Sequence, residues 1–356
     1  MNVRMQAVVL MAVVMSCASA HAFAQGFAGL GSDAQGFAIP KHGGTLSFPA
    51  DHGAHPDYRI EWWYVTANLT GEDKKQYGAQ WTLFRSALAP GNKEGFADPQ
   101  VWIGHAAITT QTHQYVAERF GRGGVGQAGV ESMPFRAWID DWQTTAADGA
   151  GSLALGNLSL SANGPDFSYG LHLKADGPLV LQGDNGFSVK SADGQASYYY
   201  SQPFYEVSGA ISISGAPVDV TGEAWLDREW SSQPLASNQT GWDWFSLHME
   251  SGDKLMAFRL RDNMDGFISA NWISADGQTT PLSQDDVQLE PTREATVNGH
   301  QMPVEWRIRV PGKSLDITTK PLNDQSWMAT STPYWEGPVN FTGTTSGVGY
   351  LEMTGY

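Results

Sequence analysis

The sequence predicts an all-β protein, and three observations predict it. Short segments of alternating polarity recur from Thr45 onward, which is the period of a half-buried strand. Tight-turn pairs separate many of them, among them Asn163-Gly164, Asp176-Gly177, Asn185-Gly186 and Asp193-Gly194; such pairs supply the left-handed backbone that a two-residue hairpin needs. Aromatic residues make up 12% of the chain and charged residues only 16%, with 40 Gly, a balance that favours strands and turns over solvated helices. Evenly spaced strands joined by hairpins imply a sandwich or barrel.

Taken in order, residues 1–24 read as an export leader. Arg4 precedes an apolar run over 7–15, and small residues lead to Ala22-Phe23-Ala24, which sets cleavage after Ala24. The apolar run is shorter than the ~20 residues that cross a bilayer. The alternative is a lipoprotein anchored at Cys17, after Val14-Met15-Ser16. Both readings put the mature chain outside the cytoplasm, periplasmic or secreted. Residues 25–44 are Gly-rich and read as a loose lead-in.

Glu61-Trp62-Trp63-Tyr64-Val65-Thr66-Ala67-Asn68-Leu69 then runs to a turn at Thr70-Gly71-Glu72-Asp73, and 77–84 follows: strand, turn, strand. Residues 102–109, 152–161, 167–174, 177–182 and 187–190 continue the pattern. In the second half 242–250, 254–261, 267–274, 304–310, 314–319 and 347–354 do the same. A weak internal echo joins the halves. Trp63-Tyr64, Gly71, Asp73-Lys74 and Phe84-Arg85 are mirrored by Trp244-Phe245, Gly252, Asp253-Lys254 and Phe258-Arg259. The echo predicts two related β units, over 45–220 and 221–356.

Composition excludes several function classes. Lys and Arg number 21 against 37 Asp and Glu, a net charge of −16, so no nucleic-acid partner is expected of a chain without a basic run. One Cys excludes a disulfide framework or a Cys-rich zinc fold. No Gly-rich phosphate loop opens a helix and no G-x-S-x-G elbow is present, so nothing points to a nucleotide or to a serine hydrolase. No cofactor is expected.

Two segments interleave charges with tryptophans. The first runs from Phe48-Pro49-Ala50-Asp51-His52-Gly53-Ala54-His55-Pro56 through Arg59 to Glu61-Trp62-Trp63. The second is Gly222-Glu223-Ala224-Trp225-Leu226-Asp227-Arg228-Glu229-Trp230-Ser231-Ser232, followed by Gly241-Trp242-Asp243-Trp244-Phe245. Alternation sets Glu223, Trp225, Asp227 and Glu229 on one strand face, Arg228 and Trp230 on the other, and Trp242 with Trp244 opposite Asp243. Carboxyls among indoles in a lined interior gain a raised pKa, and a neutral carboxylic acid can protonate an alkene or polarise a carbonyl. Asp227, Glu229 and Asp243 are the candidate acids; Trp62, Trp63, His105, Trp225, Arg228, Trp230, Trp242 and Trp244 are the candidate ligand contacts. The competing reading makes Asp227, Arg228, Glu229 and Arg59 structural ion pairs at a barrel end plugged by tryptophan. His52 and His55 have the spacing of a metal pair, with His105 or Glu61 as a conceivable third ligand. Hydrogen-bonding histidines are the commoner outcome, and no metal site is assigned.

These segments, with Tyr334-Trp335-Glu336-Gly337-Pro338-Val339 and Gly349-Tyr350-Leu351-Glu352-Met353-Thr354-Gly355-Tyr356, resemble the signatures of the AttH/CrtC-like family over about residues 45–356. The resemblance implies two lipocalin-like antiparallel β-barrel domains. It implies an exported protein, of a kind described as secreted hydrolases or as extracytoplasmic companions of ABC transport systems. A barrel interior lined with Trp adds the expectation that it binds an apolar or amphipathic small molecule, beside an ABC transporter permease. The alternative that the resemblance implies is a carotenoid 1,2-hydratase-type enzyme, adding water to an isoprenoid double bond without a cofactor. Relatives commonly carry His where this chain has Arg228; Arg stays protonated, which counts against hydration if that His shares in the chemistry.

Overall fold

The computed structural model describes residue 28, residues 30–32, residues 34–147 and residues 155–356. The expected leader, with its Cys17 alternative, lies outside the described residues. The described residues form no α-helix, and none of their helical turns is long and apolar enough to cross a membrane.

The first sheet has thirteen strands. They begin with β1 (Ile60–Gly71), β2 (Gln76–Ala87), β3 (Gln100–Thr109) and β4 (Gln114–Arg122). Five short ones follow: β5 (Ala128–Ser132), β6 (Phe135–Ile139), β7 (Trp142–Ala146), β8 (Asn157–Asn163) and β9 (Phe167–Ala175). The fragments β10 (Val180–Leu181) and β11 (Phe187–Val189) precede the long pair β12 (Ala196–Ile213) and β13 (Ala216–Ser231). The order is β4-β3-β2-β1-β13-β12-β9-β8-β7-β6-β5, with β10 and β11 added to β12.

The second sheet has ten strands. These are β14 (Gly241–Met249), β15 (Lys254–Arg261), β16 (Phe267–Ile273), β17 (Thr279–Leu282) and β18 (Gln288–Val297). After them come β19 (His300–Val310), β20 (Leu315–Pro321), β21 (Trp327–Met328), β22 (Tyr334–Gly343) and β23 (Gly347–Met353). Its order, β17-β16-β15-β14-β23-β22-β20-β19-β18 with β21 on β22, repeats the start of the first sheet: an opening strand between its hairpin partner and the closing strand.

Both antiparallel sheets twist and curl into lipocalin-like, nearly closed barrels. Long strands accumulate right-handed twist, and a bulge between Gln202 and Tyr205 bends β12 against β13. The expected hairpin at Asn185-Gly186 forms, with both residues at positive φ. Strand β8 begins at Asn157, later than the predicted 152, and β4 to β7, β12, β17, β18, β21 and β22 were not among the predicted strands.

Alternation decides what each face meets. Inside the first barrel, Trp63 and Val65 of β1 pack with Trp81 and Leu83 of β2 and with Trp142. Inside the second, Phe245 and Leu247 of β14 pack with Trp306, Trp335 and Leu351. These indoles pack into the interiors, as side chains do in barrels of modest strand number, and the aromatic cavity lined by the described residues lies between the sheets rather than inside a barrel. The other face of β1 and β13 is buried too. Tyr64, Tyr199 and Trp225 of the first sheet pack on Trp244, Phe258 and Tyr350 of the second.

Two expectations about organisation need correction. The boundary expected between 220 and 221 falls inside β13, which pairs along its length with β1 and β12 of the first sheet; the chain passes between sheets over 232–240. The echo also slips by one face. Trp63 lies inside its barrel, whereas Trp244 faces the junction and Phe245 points inward.

The junction is close-packed at Gly78. A Cβ there would sit 2.7 Å from the Pro338 ring and 2.5 Å from the Tyr350 hydroxyl, both of the second sheet. Gly78→Ala is therefore expected to destabilise the chain by about 1–3 kcal/mol through overpacking, read as a lower urea midpoint.

Candidate active site

A cavity of about 480 Å³ opens where the two sheets face each other. The first sheet contributes Trp62 and Tyr64 from β1, Phe84 from β2, His105 from β3, Tyr199 from β12, and Asp227 and Glu229 from β13. The second contributes Trp242 and Trp244 from β14, Phe258 and Leu260 from β15, and Glu352 from β23. Every one follows from alternation: the register pairs Trp62 with Glu229 and Tyr64 with Asp227, so one face of adjacent strands presents indole, phenol and acid together. Leu30 and Ser32 of the lead-in close part of the rim. They are held by the Arg59 guanidinium, which donates to the Leu30 carbonyl at 3.1 Å and the Ser32 hydroxyl at 2.6 Å; this part of the lead-in is packed rather than loose.

Asp227 sits in the wall with three donors around it. Tyr199 Oη lies 2.6 Å from Oδ2, while Ser201 Oγ and Trp225 Nε1 lie 2.5 and 2.6 Å from Oδ1. Burial pushes its carboxyl up to about 7, against the pull of those hydrogen bonds. Trp244 Nε1 reaches the same Tyr199 hydroxyl at 3.2 Å. Glu229, two residues on, is paired with Lys190 at 2.8 Å, whose ammonium lies 4.2 Å from the Phe258 ring centre.

The opposite wall carries acids that sequence reasoning did not single out. Glu352 accepts from Trp242 Nε1 at 2.5 Å, and its cross-strand neighbour is Glu336 of β22. Glu336 is buried behind Tyr64, whose hydroxyl donates to it. Burial, and for Glu336 next the charge of Glu352, raises both carboxyls above the ordinary range. The available signal was a lone Glu on an aromatic face, as in Tyr350, Glu352 and Thr354.

The remaining expected residues are dispersed. Trp63 lies inside the first barrel, and Trp225 serves the site only through its indole N–H to Asp227. Arg228 and Trp230 point into the barrel end, away from the cavity. Arg228 pairs there with Glu61, which also pairs with Arg85, and its guanidinium lies 3.9 Å from the Trp63 ring centre. The ion pair joining Asp227 to Arg228 therefore does not form, because their side chains leave opposite faces of β13. Trp230 stacks on His55 at 4.1 Å. Asp243 is inside the second barrel, bound by Arg259, Arg261 and the Tyr356 hydroxyl, and is not a cavity acid.

His52 and His55 do not converge. His52 Nδ1 lies 2.7 Å from Tyr200 Oη, while His55 contacts Glu61 and Asp51. Burial and then the Arg228 charge lower His52 to about 4, keeping it neutral. Among the described residues no group of three His, Cys, Asp or Glu is arranged to hold a metal ion.

The family model described as AttH-like matches residues 39–356. The chain belongs to the AttH-like family. An AttH protein from Nitrosomonas europaea shares the fold of this AttH-like chain at a TM-score of 0.78 and 35% identity, covering 90% of this chain and 99% of that one. Kievitone hydratase from Nectria haematococca is similar in fold, with a TM-score of 0.64 and 16% identity over 90% of this chain and 98% of its own. None of the curated proteins matches.

Proposed function

We propose that this AttH-like protein is a cofactor-independent hydratase that adds water to a carbon–carbon double bond of an apolar or amphipathic guest. The observation that carries the reading is Asp227, whose carboxyl burial raises to about 7, so that a protonated acid is available up to neutral pH in the wall of an aromatic cavity. The cavity volume lies within the ~300–1,000 Å³ of small-molecule sites. A neutral acid donates its proton to one alkene carbon, and the carbocation forms at the other, beside the faces of Trp62 and Trp244, which favour positive charge. Water attacks the cation, and the oxonium gives up a proton to a carboxylate of the far wall, for which Glu352 in its ionised form is placed. Alkene and water are consumed and an alcohol is formed. A relative in fold bears the name hydratase, which agrees with this reading. Arg228, whose fixed charge counted against hydration, faces away from the cavity and does not bear on it.

A carrier serving a transporter permease would use the same cavity, yet it has no need of protonatable acids in the wall. On the leader reading of residues 1–24, either activity would operate outside the cytoplasm. The test is incubation of the purified chain with neutral isoprenoid alkenes in ¹⁸O-labelled water, with mass spectrometry of the products. Labelled alcohol supports the hydratase. Tight binding of the same alkenes without labelled product overturns it in favour of the carrier. Trp62→Ala, which removes a partly exposed wall, is expected to weaken binding of such an alkene about tenfold, a loss near ~1.4 kcal/mol, measured by fluorescence titration.

A further inference from the structure

We infer that Tyr334, His105 and Glu118 form a proton relay between the far-wall acids, buried Glu336 and cavity-lining Glu352, and solvent. The inference rests on the hydratase reading and deepens it. During hydration Asp227 gives a proton to the guest, while the attacking water gives one to the opposite wall. The overall reaction is proton-neutral, but each turnover leaves Asp227 one proton short and the far wall one proton rich. The far wall must shed that proton, and Glu336 is fully buried.

The groups between Glu336 and the surface run in sequence. The Tyr334 hydroxyl is within interaction range of the Glu336 carboxyl, whose Oε2 has no partner at full hydrogen-bond geometry. Tyr334 Oη lies 3.0 Å from His105 Nδ1, and His105 Nε2 lies 3.1 Å from Glu118 Oε1. Glu118 also accepts from the Ser331 backbone N–H at 3.0 Å, and its side chain is 18% exposed. Burial opposes ionisation of Glu118, but the donors from His105 and Ser331 prevail and hold it below the ordinary range. A carboxylate only accepts, so His105 carries its hydrogen on Nε2 and leaves Nδ1 as the acceptor for Tyr334. A proton then moves outward stepwise: Tyr334 takes one from Glu336 as its own passes to Nδ1, and the imidazolium gives its Nε2 proton to Glu118, which releases it to water. The Tyr64 hydroxyl passes its proton to Glu336 while taking the one that Glu352 received.

Infrared spectroscopy of the guest-free chain tests the relay without any substrate. The carboxylic C=O stretch of Glu336 is identified by its loss in Glu336→Gln, and its shift on transfer to D₂O is timed. His105→Phe keeps the ring that stacks on Tyr334 but deletes both nitrogens, and is expected to slow that exchange at least tenfold. Glu118→Gln is expected to slow it too, and decides alone if the His105 variant does not fold. Exchange at the wild-type rate in the folded variants overturns the relay and leaves the hydratase reading standing. Absence of any protonated Glu336 band near neutral pH overturns the relay and removes the far-wall acid pair from the hydratase reading; labelled alcohol formation judges that reading separately.

Discussion

Asp227→Asn is expected to lower hydration turnover by about 10²–10⁴-fold, the usual contribution of a positioned acid, while guest affinity stays within about twofold because the amide keeps the carboxyl's size. The amide oxygen can still accept from Ser201 and Trp225, which lie at Oδ1, and the amide nitrogen can donate to Tyr199 in place of Oδ2. The fold is thus retained while the transferable proton is lost. Turnover by the variant within a factor of about three of wild type would remove Asp227 from the proposed chemistry.

The same substitution has a signature in stability that needs no substrate. Asp227 titrates at about 7 in the folded chain and near ~3.9 when unfolded, so between those values the native state binds the extra proton. Its contribution to stability is fully present below the unfolded value and is lost as pH rises through about 7. Asp227→Asn is expected to flatten the fall of the urea midpoint with pH across that window, leaving the share due to Glu336 and Glu352. Activity declines as pH rises through about 7 and Asp227 loses its proton, and also as pH falls through about 7 and Glu352 becomes unable to accept one, so its pH profile is expected to be bell-shaped.

Much of this site was legible in the sequence, and the reason is the period of a strand. Trp225, Asp227 and Glu229 share a face, as do Trp242 and Trp244, with Arg228 and Asp243 turned the other way, and each of these follows from alternation alone. Alternation says which residues share a face and is silent on what that face meets. The face carrying Asp227 was assigned to a barrel interior; it meets a second sheet instead, because the facing strands β14 and β23 bring their own aromatic residues to cover it. Glu336 and Glu352 escaped notice for a related reason. Each is a single acid in an apolar strand, and only the pairing of β22 with β23 sets them side by side. Strands β5 to β7 were missed because they are five residues long and turns interrupt the pattern at once.

Glu61→Gln is expected to cost about 3–5 kcal/mol, the penalty for breaking a buried ion pair by removing one partner. Glu61 is wholly buried and receives Arg85 on one carboxylate oxygen and Arg228 on the other, with the His55 backbone N–H at 2.8 Å. Burial alone would raise its pKa, yet the two guanidinium groups, Arg228 foremost, hold it far below the ordinary range. Its stabilisation is therefore present above the unfolded value of ~4.3 and is lost only as pH falls through the depressed folded value. Gln leaves two buried cations facing a neutral amide. Urea unfolding near neutral pH should show the loss in full, and a change below about 1 kcal/mol would mean that entering water solvates the stranded cations or that the Asp51 carboxylate, which already interacts with Arg228, offsets them. The double variant Glu61→Gln with Arg228→Met is expected to recover part of the loss, since one stranded cation is replaced by a side chain suited to the Trp63 and Trp230 rings that Arg228 now covers. Because this network lies on the face of β13 opposite Asp227, the double variant's folded fraction should retain hydration activity, separating the residue that holds the barrel end from the acid that faces the guest.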